Sequence, residues 1–124
     1  MSQHPRHAAR LSAILPIVVL ALGVVAMGSA SVELVFPPFT DAQLSANFVD
    51  TWEAHTLGNF VLLLLFFVGF VASGIAAWFA TASNRLFFGL AAAAFLLAAA
   101  LDVVAMHTLT ARTESLTGQS LSWL

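Results

Sequence analysis

The chain contains no cysteine and no lysine, and both absences narrow its chemistry. Without cysteine there is no disulfide, thiolate metal site, iron–sulfur cluster or thiol nucleophile. Four arginines are the only strongly basic residues, and the net charge is -2. This balance is not basic enough to follow a nucleic-acid backbone, so nucleic acid is not an expected partner.

Charged residues of either sign are also scarce. Only 8% of the 124 residues are charged, 60% are hydrophobic, and the mean hydropathy is +0.96. An ordinary soluble domain is about a quarter charged. We expect a single membrane domain over residues 1–124, because no polar stretch is long enough to bury a core of its own.

Three apolar runs are long enough to cross a bilayer, which makes the lipid bilayer the first expected partner. A span needs about 20 residues, because a helix rises about 1.5 Å per residue through a hydrocarbon core of roughly 30 Å. The runs predict an all-α integral membrane protein with transmembrane helices at about 11–35, 59–82 and 86–107. Residues 83–85 form a short turn, so the last two helices are expected to pack as antiparallel neighbours.

The first run also allows a second interpretation, a secretory signal peptide. Arginines in the polar head, residues 1–10, precede an apolar stretch that reaches small residues at 28–30. That stretch exceeds the usual apolar core of about 7 to 15 residues. We therefore expect an uncleaved first helix.

Residues 36–58 are predicted to form an outer loop that carries an amphipathic helix at about 41–55. Thr40 and Gln43 have the spacing of a capping box, which predicts the helix start. Apolar residues then recur at intervals of four: Leu44, Phe48 and Trp52. We expect this apolar stripe to rest in the lipid headgroups or on a partner, since tryptophan is enriched at that depth.

The arginines predict the orientation, because short cytoplasmic segments hold the excess of positive charge. Arg6, Arg10 and Arg85 fall on one side of the predicted spans, and Arg112 falls on the other. We expect a cytoplasmic N-terminus and a periplasmic C-terminus in a bacterial inner membrane. Residues 108–124 are too polar to span again and are predicted to form an outer tail.

Small residues on the second and third spans are arranged for close packing. Lipid gives helices no hydrophobic reason to associate, so close contact depends on small side chains. Such residues recur at intervals of four: Gly69, Ser73 and Ala77 on the second span, and Gly89 and Ala93 on the third. We expect a tight hairpin, although such residues are also common in membrane helices in general.

Large aromatic side chains exceed what a three-helix protein can enclose, so some must face outward. These contact lipid, or they dock against other transmembrane subunits or flat hydrophobic cofactors. The docking surface is predicted to contain Phe60, Phe67, Phe70, Phe88 and Trp52.

The candidate ligand site is a set of ionisable residues near the outer membrane face: Glu33, Glu53, His55, Asp102 and His107. Ionisable groups inside membrane helices are costly and usually have a partner, and Asp102 lies deepest. The set could bind a transition metal, and its two histidines could ligate a haem or chlorophyll.

Helix geometry weakens a shared site. His55 and His107 differ in height by about 10 Å unless Gly58 breaks its helix, and Asp102 and His107 lie about 140° apart around theirs. A simpler role for Asp102 is an interhelical hydrogen bond to Ser29, Ser31 or Glu33. The residues therefore allow three interpretations: a structural carboxylate with interfacial histidines, a metal or tetrapyrrole site, or a proton relay.

Catalysis by this chain alone is not expected, because it has no nucleophile paired with a base, no glycine-rich phosphate loop and no HExxH motif. The leading interpretation is an accessory subunit of a larger inner-membrane complex, respiratory or photosynthetic, that docks through phenylalanine-rich and small-residue faces. The alternative is a redox subunit that binds a metal, haem or chlorophyll through the outer-face residues.

Overall fold

A computed structural model describes residues 3–48 and 52–121 and confirms the predicted all-α membrane fold. Its helices are α1 (Gln3–Val35), α2 (Asp41–Phe48), α3 (Ala54–Phe79) and α4 (Ala82–Thr117). Of these, α1, α3 and α4 contain segments long and apolar enough to cross a membrane. We use "polar end" for the end of the bundle where α1 stops and α3 begins, and "turn end" for the end where α3 joins α4.

Helix α4 lies between α1 and α3 and packs against both, whereas α1 and α3 meet at few positions. The contact between α1 and α4 is built from small residues. A Cβ added to Gly23 would lie 3.1 Å from the Cβ of Ala94 and 3.2 Å from the carbonyl oxygen of Ala91. Ala26 and Ala98 are buried in one cluster further along. The spacing of small residues predicts close contact only between α3 and α4. The structure shows that α1 is a second close neighbour of α4.

Helices α3 and α4 form the predicted antiparallel hairpin, but the turn lies at Ala80 and Thr81 instead of 83–85. Arg85, in the first turn of α4, reaches back across it. Its Nε donates to the carbonyl of half-buried Ala77 and its Nη2 to the carbonyl of Ala80, each at 3.3 Å. The carbonyl of Ala77 also accepts from the backbone N–H of Ala80 at 3.4 Å, so Arg85 adds a second donor at the C-terminal end of α3.

The residues predicted to hold the hairpin are only partly at its contact. A Cβ on Gly69 would lie 2.7 Å from the ring of Phe95 of α4, and Ser73, one helical turn further along α3, is buried. Gly89 and Ala93 are exposed, and a Cβ on Gly89 would meet nothing within 4 Å. Their assignment to the contact is wrong, because Phe95 marks the side of α4 that faces α3 and lies about 200° around the helix from Ala93.

All three spanning helices extend beyond the predicted spans, and α1 begins at Gln3 instead of 11. α3 begins at Ala54 instead of 59, and α4 continues to Thr117 instead of 107. α4 ends where Gly118 adopts the left-handed conformation, with φ 72°, that favours glycine. Its 36 residues extend about 54 Å, well beyond a hydrocarbon core of roughly 30 Å. Most of the predicted polar tail is therefore a projecting end of α4.

Helix α2 begins where the capping box predicts. The backbone N–H of Thr40 donates to Oε1 of Gln43 at 2.9 Å, and the N–H of Gln43 donates to Oγ1 of Thr40 at 3.2 Å. The described part of this helix runs from Asp41 to Phe48, within the predicted 41–55. Residues 49–51 and the side chain of Phe48 lie outside the part of the chain that the structure describes.

The apolar stripe of this segment is covered by the projecting end of α4. Leu44 and Trp52 are buried and pack with Met106 and Leu109. Nε1 of Trp52 also donates to Oγ1 of Thr110 at 3.2 Å. For Leu44 and Trp52, the prediction of a headgroup or partner environment is wrong, because α4 supplies the apolar surface within the chain.

Candidate functional site

Three helices bring ionisable side chains together at the polar end. Glu33 is in the last turn of α1, His55 in the first turn of α3, and Asp102 on α4. Nε2 of His55 lies 3.7 Å from Oε1 of Glu33. The carboxylate of Glu33 also lies near enough to Asp102 to repel its negative charge. Because each residue comes from a different helix, the tertiary fold creates this site.

An amide and a thioether complete the site. Nδ2 of Asn59 lies 2.8 Å from Nε2 of His55 and 2.8 Å from Sδ of Met106. We call Glu33, His55, Asn59, Asp102 and Met106 the polar-end cluster. Asn59 and Met106 were not among the predicted site residues. The signal for Asn59 is its position one helical turn after His55, which puts both on one face, but no local pattern links it to Met106.

Polar atoms near this cluster have unused hydrogen-bonding capacity. Asn59 is only 3% exposed, yet its Oδ1 has no hydrogen-bond partner among the described residues, and neither has Oγ1 of Thr56. Leaving such a group unsatisfied costs about 1–3 kcal/mol. The cluster is therefore able to take up a further polar partner or to rearrange.

Asp102 is buried, at 3% exposure, but the serines predicted as its partners do not serve it. The hydroxyl of Ser31 donates to the carbonyl of Met27 in its own helix at 2.8 Å, and Ser29 is exposed. Of the three predicted partners, Glu33 is the neighbour that acts on Asp102, and it does so as a like charge. The prediction of a serine hydrogen bond is therefore wrong.

Glu53 and His107 lie apart from the cluster, and both are exposed. Gly58 lies inside an unbroken α3, so His55 is not folded back toward His107. Within residues 3–48 and 52–121, no three His, Asp or Glu side chains lie close enough to hold a metal ion. The predicted five-residue metal set and the paired-histidine site for haem or chlorophyll are therefore not assembled.

Arg112 holds the segment before α2 beside the cluster. Its Nε and Nη2 donate to Oδ1 of Asp41, and its Nη1 donates to the carbonyl of Phe39 at 2.9 Å. The ring of Phe39 meets that of His55 edge to face, with centroids 5.1 Å apart. The projecting end of α4 thus fixes an aromatic side chain against the imidazole.

A small cavity of about 50 Å³ lies beside Glu33. A cavity needs only about 10–15 Å³ to hold a water molecule, provided that polar groups line it. Its lining residues include Glu33, Pro37, Thr108 and Arg112. The cavity therefore offers water a place next to the Glu33 carboxylate.

The residues predicted for a docking surface divide between surface and core. Phe60 and Phe67 are exposed and Phe70 is half-buried. Phe88 and Trp52 are buried. The assignment of Phe88 and Trp52 to a docking surface is therefore wrong, because other parts of the same chain enclose both side chains.

One side of α4 is exposed along the described part of the molecule. We call it the open face of α4, and it consists of Gly89, Ala93, Ala100, Val104 and His107. These positions lie within about 60° of one another around the helix. The face combines small side chains toward the turn end with a histidine toward the polar end.

Comparisons with protein-family models, with curated proteins and with solved structures found no match for this chain. Its function therefore has to be inferred from its own geometry.

Proposed function

We propose that the chain is a non-catalytic subunit of a larger membrane complex, and that the open face of α4 binds a transmembrane helix of another subunit. The observation that carries this proposal is the exposure of Gly89 and Ala93 on a helix whose other sides already pack against α1 and α3. Small side chains let two helix backbones approach closely. Contact with lipid does not require small side chains.

Aromatic side chains on α3 add area to the docking surface. Phe60 and Phe67 are both exposed and lie seven residues apart, on one side of the helix. The ring of Phe70 lies beside that of Phe67, with centroids 6.3 Å apart. These rings suit either another transmembrane helix or a flat cofactor held by a neighbouring subunit.

The complex that we propose is a respiratory or photosynthetic one in a bacterial inner membrane. Three of the four arginines lie on the side of the N-terminus and the α3–α4 turn, which supports a cytoplasmic location for both. The non-catalytic role is supported by the sequence, which has no nucleophile paired with a base, no glycine-rich phosphate loop and no HExxH motif.

A second candidate function, tetrapyrrole binding, is favoured by the position of His107. This residue is exposed and aligned with Gly89, since about five helical turns separate them. A single imidazole on the open face would suit a haem or chlorophyll held between this chain and a neighbour. His55 would not take part.

Co-purification from native membranes tests the proposed docking. We expect the tagged wild type to retain one or more membrane subunits, identified by mass spectrometry, and Ala93→Leu to lose them. Ala72→Leu is the control, because Ala72 is exposed on α3 away from Phe60 and Phe67. Equal retention by both variants would count against docking on α4. Visible absorbance of the complex that disappears in His107→Ala would support the second candidate.

A further inference from the structure

The Nε2 atom of His55 has two neighbours that require opposite protonation states. The amide Nδ2 of Asn59, 2.8 Å away, is a donor and needs a bare nitrogen with its lone pair. The carboxylate of Glu33, 3.7 Å away, is an acceptor and needs an N–H. The thioether of Met106 lies 2.8 Å from the same Nδ2 and is a second acceptor for the amide. His55 cannot satisfy both neighbours at once.

We propose that the polar-end cluster is a proton-binding site, in which a proton added to Nε2 of His55 replaces the Asn59 hydrogen bond with an ion pair to Glu33. Acceptance of the Asn59 hydrogen bond at Nε2 requires that neutral His55 carry its one proton on Nδ1. Transfer of a second proton from hydronium, which leaves a water molecule, forms an N–H bond at Nε2 and uses the lone pair that accepts from Asn59. The resulting imidazolium donates to the Glu33 carboxylate.

The groups around His55 come from several parts of the chain. Helix α1 contributes Glu33, whose carboxylate lies near Asp102 of α4. The segment before α2 contributes the Phe39 ring, which lies edge to face with the imidazole at a centroid distance of 5.1 Å. Among the described residues, the remaining charged or titratable groups at this end are Asp41, Glu53, His107, Arg112 and Glu114. Of these, Arg112 binds Asp41 and the Phe39 carbonyl, while Glu53 and His107 are exposed.

The site is partly exposed at the polar end, where the spans stop. The side chains of His55 and Glu33 are 20% and 25% exposed, and the 50 Å³ cavity adjoins Glu33. Asn59, once released, has an unsatisfied Oδ1 with which to find a new partner. A proton can therefore enter from the aqueous phase at the polar end without crossing the membrane.

Proton uptake has a mechanical consequence. α1 and α3 meet at few positions, and the Glu33–His55 ion pair would join them directly. Before protonation the corresponding bond, from Asn59 to His55, lies within α3 alone. Protonation is thus expected to draw the polar ends of α1 and α3 together by about 1–2 Å, the usual size of a helix shift.

Distance measurements between two spin labels test this proposal directly, since the chain has no native cysteine to interfere. Labels at Val35 and Leu57, both well exposed, report on α1 and α3 at the polar end. We expect their distance to shorten between about pH 8 and about pH 5, the range in which histidine changes charge. A second pair at Val24 and Leu90, away from the cluster, is expected to stay constant.

Variants assign the effect to its residues. His55→Gln and Glu33→Gln are each expected to abolish the shortening, and the exposed-histidine control His107→Gln is expected to retain it. Shortening that persists in His55→Gln, or that is absent from the wild type, would overturn the proposal. Shortening that requires added Zn²⁺ and disappears with a chelator would also overturn it, by making a metal ion the ligand.

A second measurement protects the test against a variant that fails to fold. Nitrogen-15 NMR of the wild-type protein, labelled in histidine and solubilised in micelles, reports which ring nitrogen carries the proton. We expect the Nδ1–H form of His55 at about pH 8 and protons on both nitrogens at about pH 5. A ring that carries its single proton on Nε2 at about pH 8 would contradict the proposal.

Discussion

Gly23 is the residue that sets how closely α1 approaches the backbone of α4. The nearest atoms to an added Cβ include the backbone carbonyl oxygen of Ala91 at 3.2 Å, which cannot move without moving α4. Gly69 differs in this respect, because its nearest neighbour is the side chain of Phe95. Gly28, further along α1, has nothing within 4 Å of an added Cβ. One helix therefore contains a glycine at a close contact and a glycine on an open surface.

This difference gives a matched pair of substitutions. Gly23→Leu is expected to lower the free energy of unfolding by about 1–3 kcal/mol relative to Gly28→Leu, since an overpacked contact forces the helices apart. Both changes gain about the same helix propensity, roughly 1 kcal/mol, so the comparison cancels it. Unfolding of both variants in detergent micelles measures the difference. Equal stabilities would show that Gly23 does not lie at a close contact.

At the scale of elements, α4 connects the rest of the described chain. It packs against α1 and α3 within the membrane-spanning part, and its projecting end binds α2. Two kinds of contact hold α2: the buried cluster of Leu44 with Met106 and Leu109, and the bonds from Arg112 to Asp41 and the Phe39 carbonyl. Loss of the arginine is expected to loosen the segment before α2 without unfolding the bundle.

Hydrogen exchange checks this role of Arg112. Arg112→Ala is expected to raise exchange at the backbone amides of residues 39–48, because the ion pair and the carbonyl bond contribute about 1 kcal/mol at a partly exposed position. Arg85→Ala is the control, since Arg85 bonds only to carbonyls at the α3–α4 turn. Equal exchange of residues 39–48 in both variants would mean that apolar packing alone holds the segment.

The elements also show which features can be predicted from sequence. The capping box involves two residues close together in the sequence, Thr40 and Gln43, so the sequence predicts where α2 begins. The three apolar runs predict the spans, because hydropathy measures the cost of leaving water. The length of α4 could not be predicted in this way, since polarity after 107 marks where the membrane ends and not where the helix ends.

The sequence predicts least well which helices pack against each other. The short turn predicts that α3 packs on α4, but small residues occur on every span and do not select partners. The spacing of Gly23, Ala26 and Ala30 was a usable signal for the α1–α4 contact. The contact of Asn59 with Met106 joins residues 47 positions apart and depends on helix register, which residue type alone does not fix.

At the scale of the whole molecule, the arginines predict orientation. The α3–α4 turn and the projecting end of α4 should lie on opposite sides of the membrane, with the turn in the cytoplasm. Single cysteines at Ser83 and Ser115, both exposed, are unique labelling sites in this cysteine-free chain. An impermeant thiol reagent added to intact cells is expected to label Ser115→Cys and to spare Ser83→Cys. The reverse pattern would invert the assignment.

Site-specific photocrosslinking in native membranes tests most directly whether the open face of α4 binds another subunit. A photoreactive amino acid at Val104 samples this face, and one at Val25 samples an exposed position of α1, so the two probes replace the same residue type. The account predicts a protein adduct of discrete mass from position 104 and lipid adducts alone from position 25. Lipid adducts alone from both positions would contradict it.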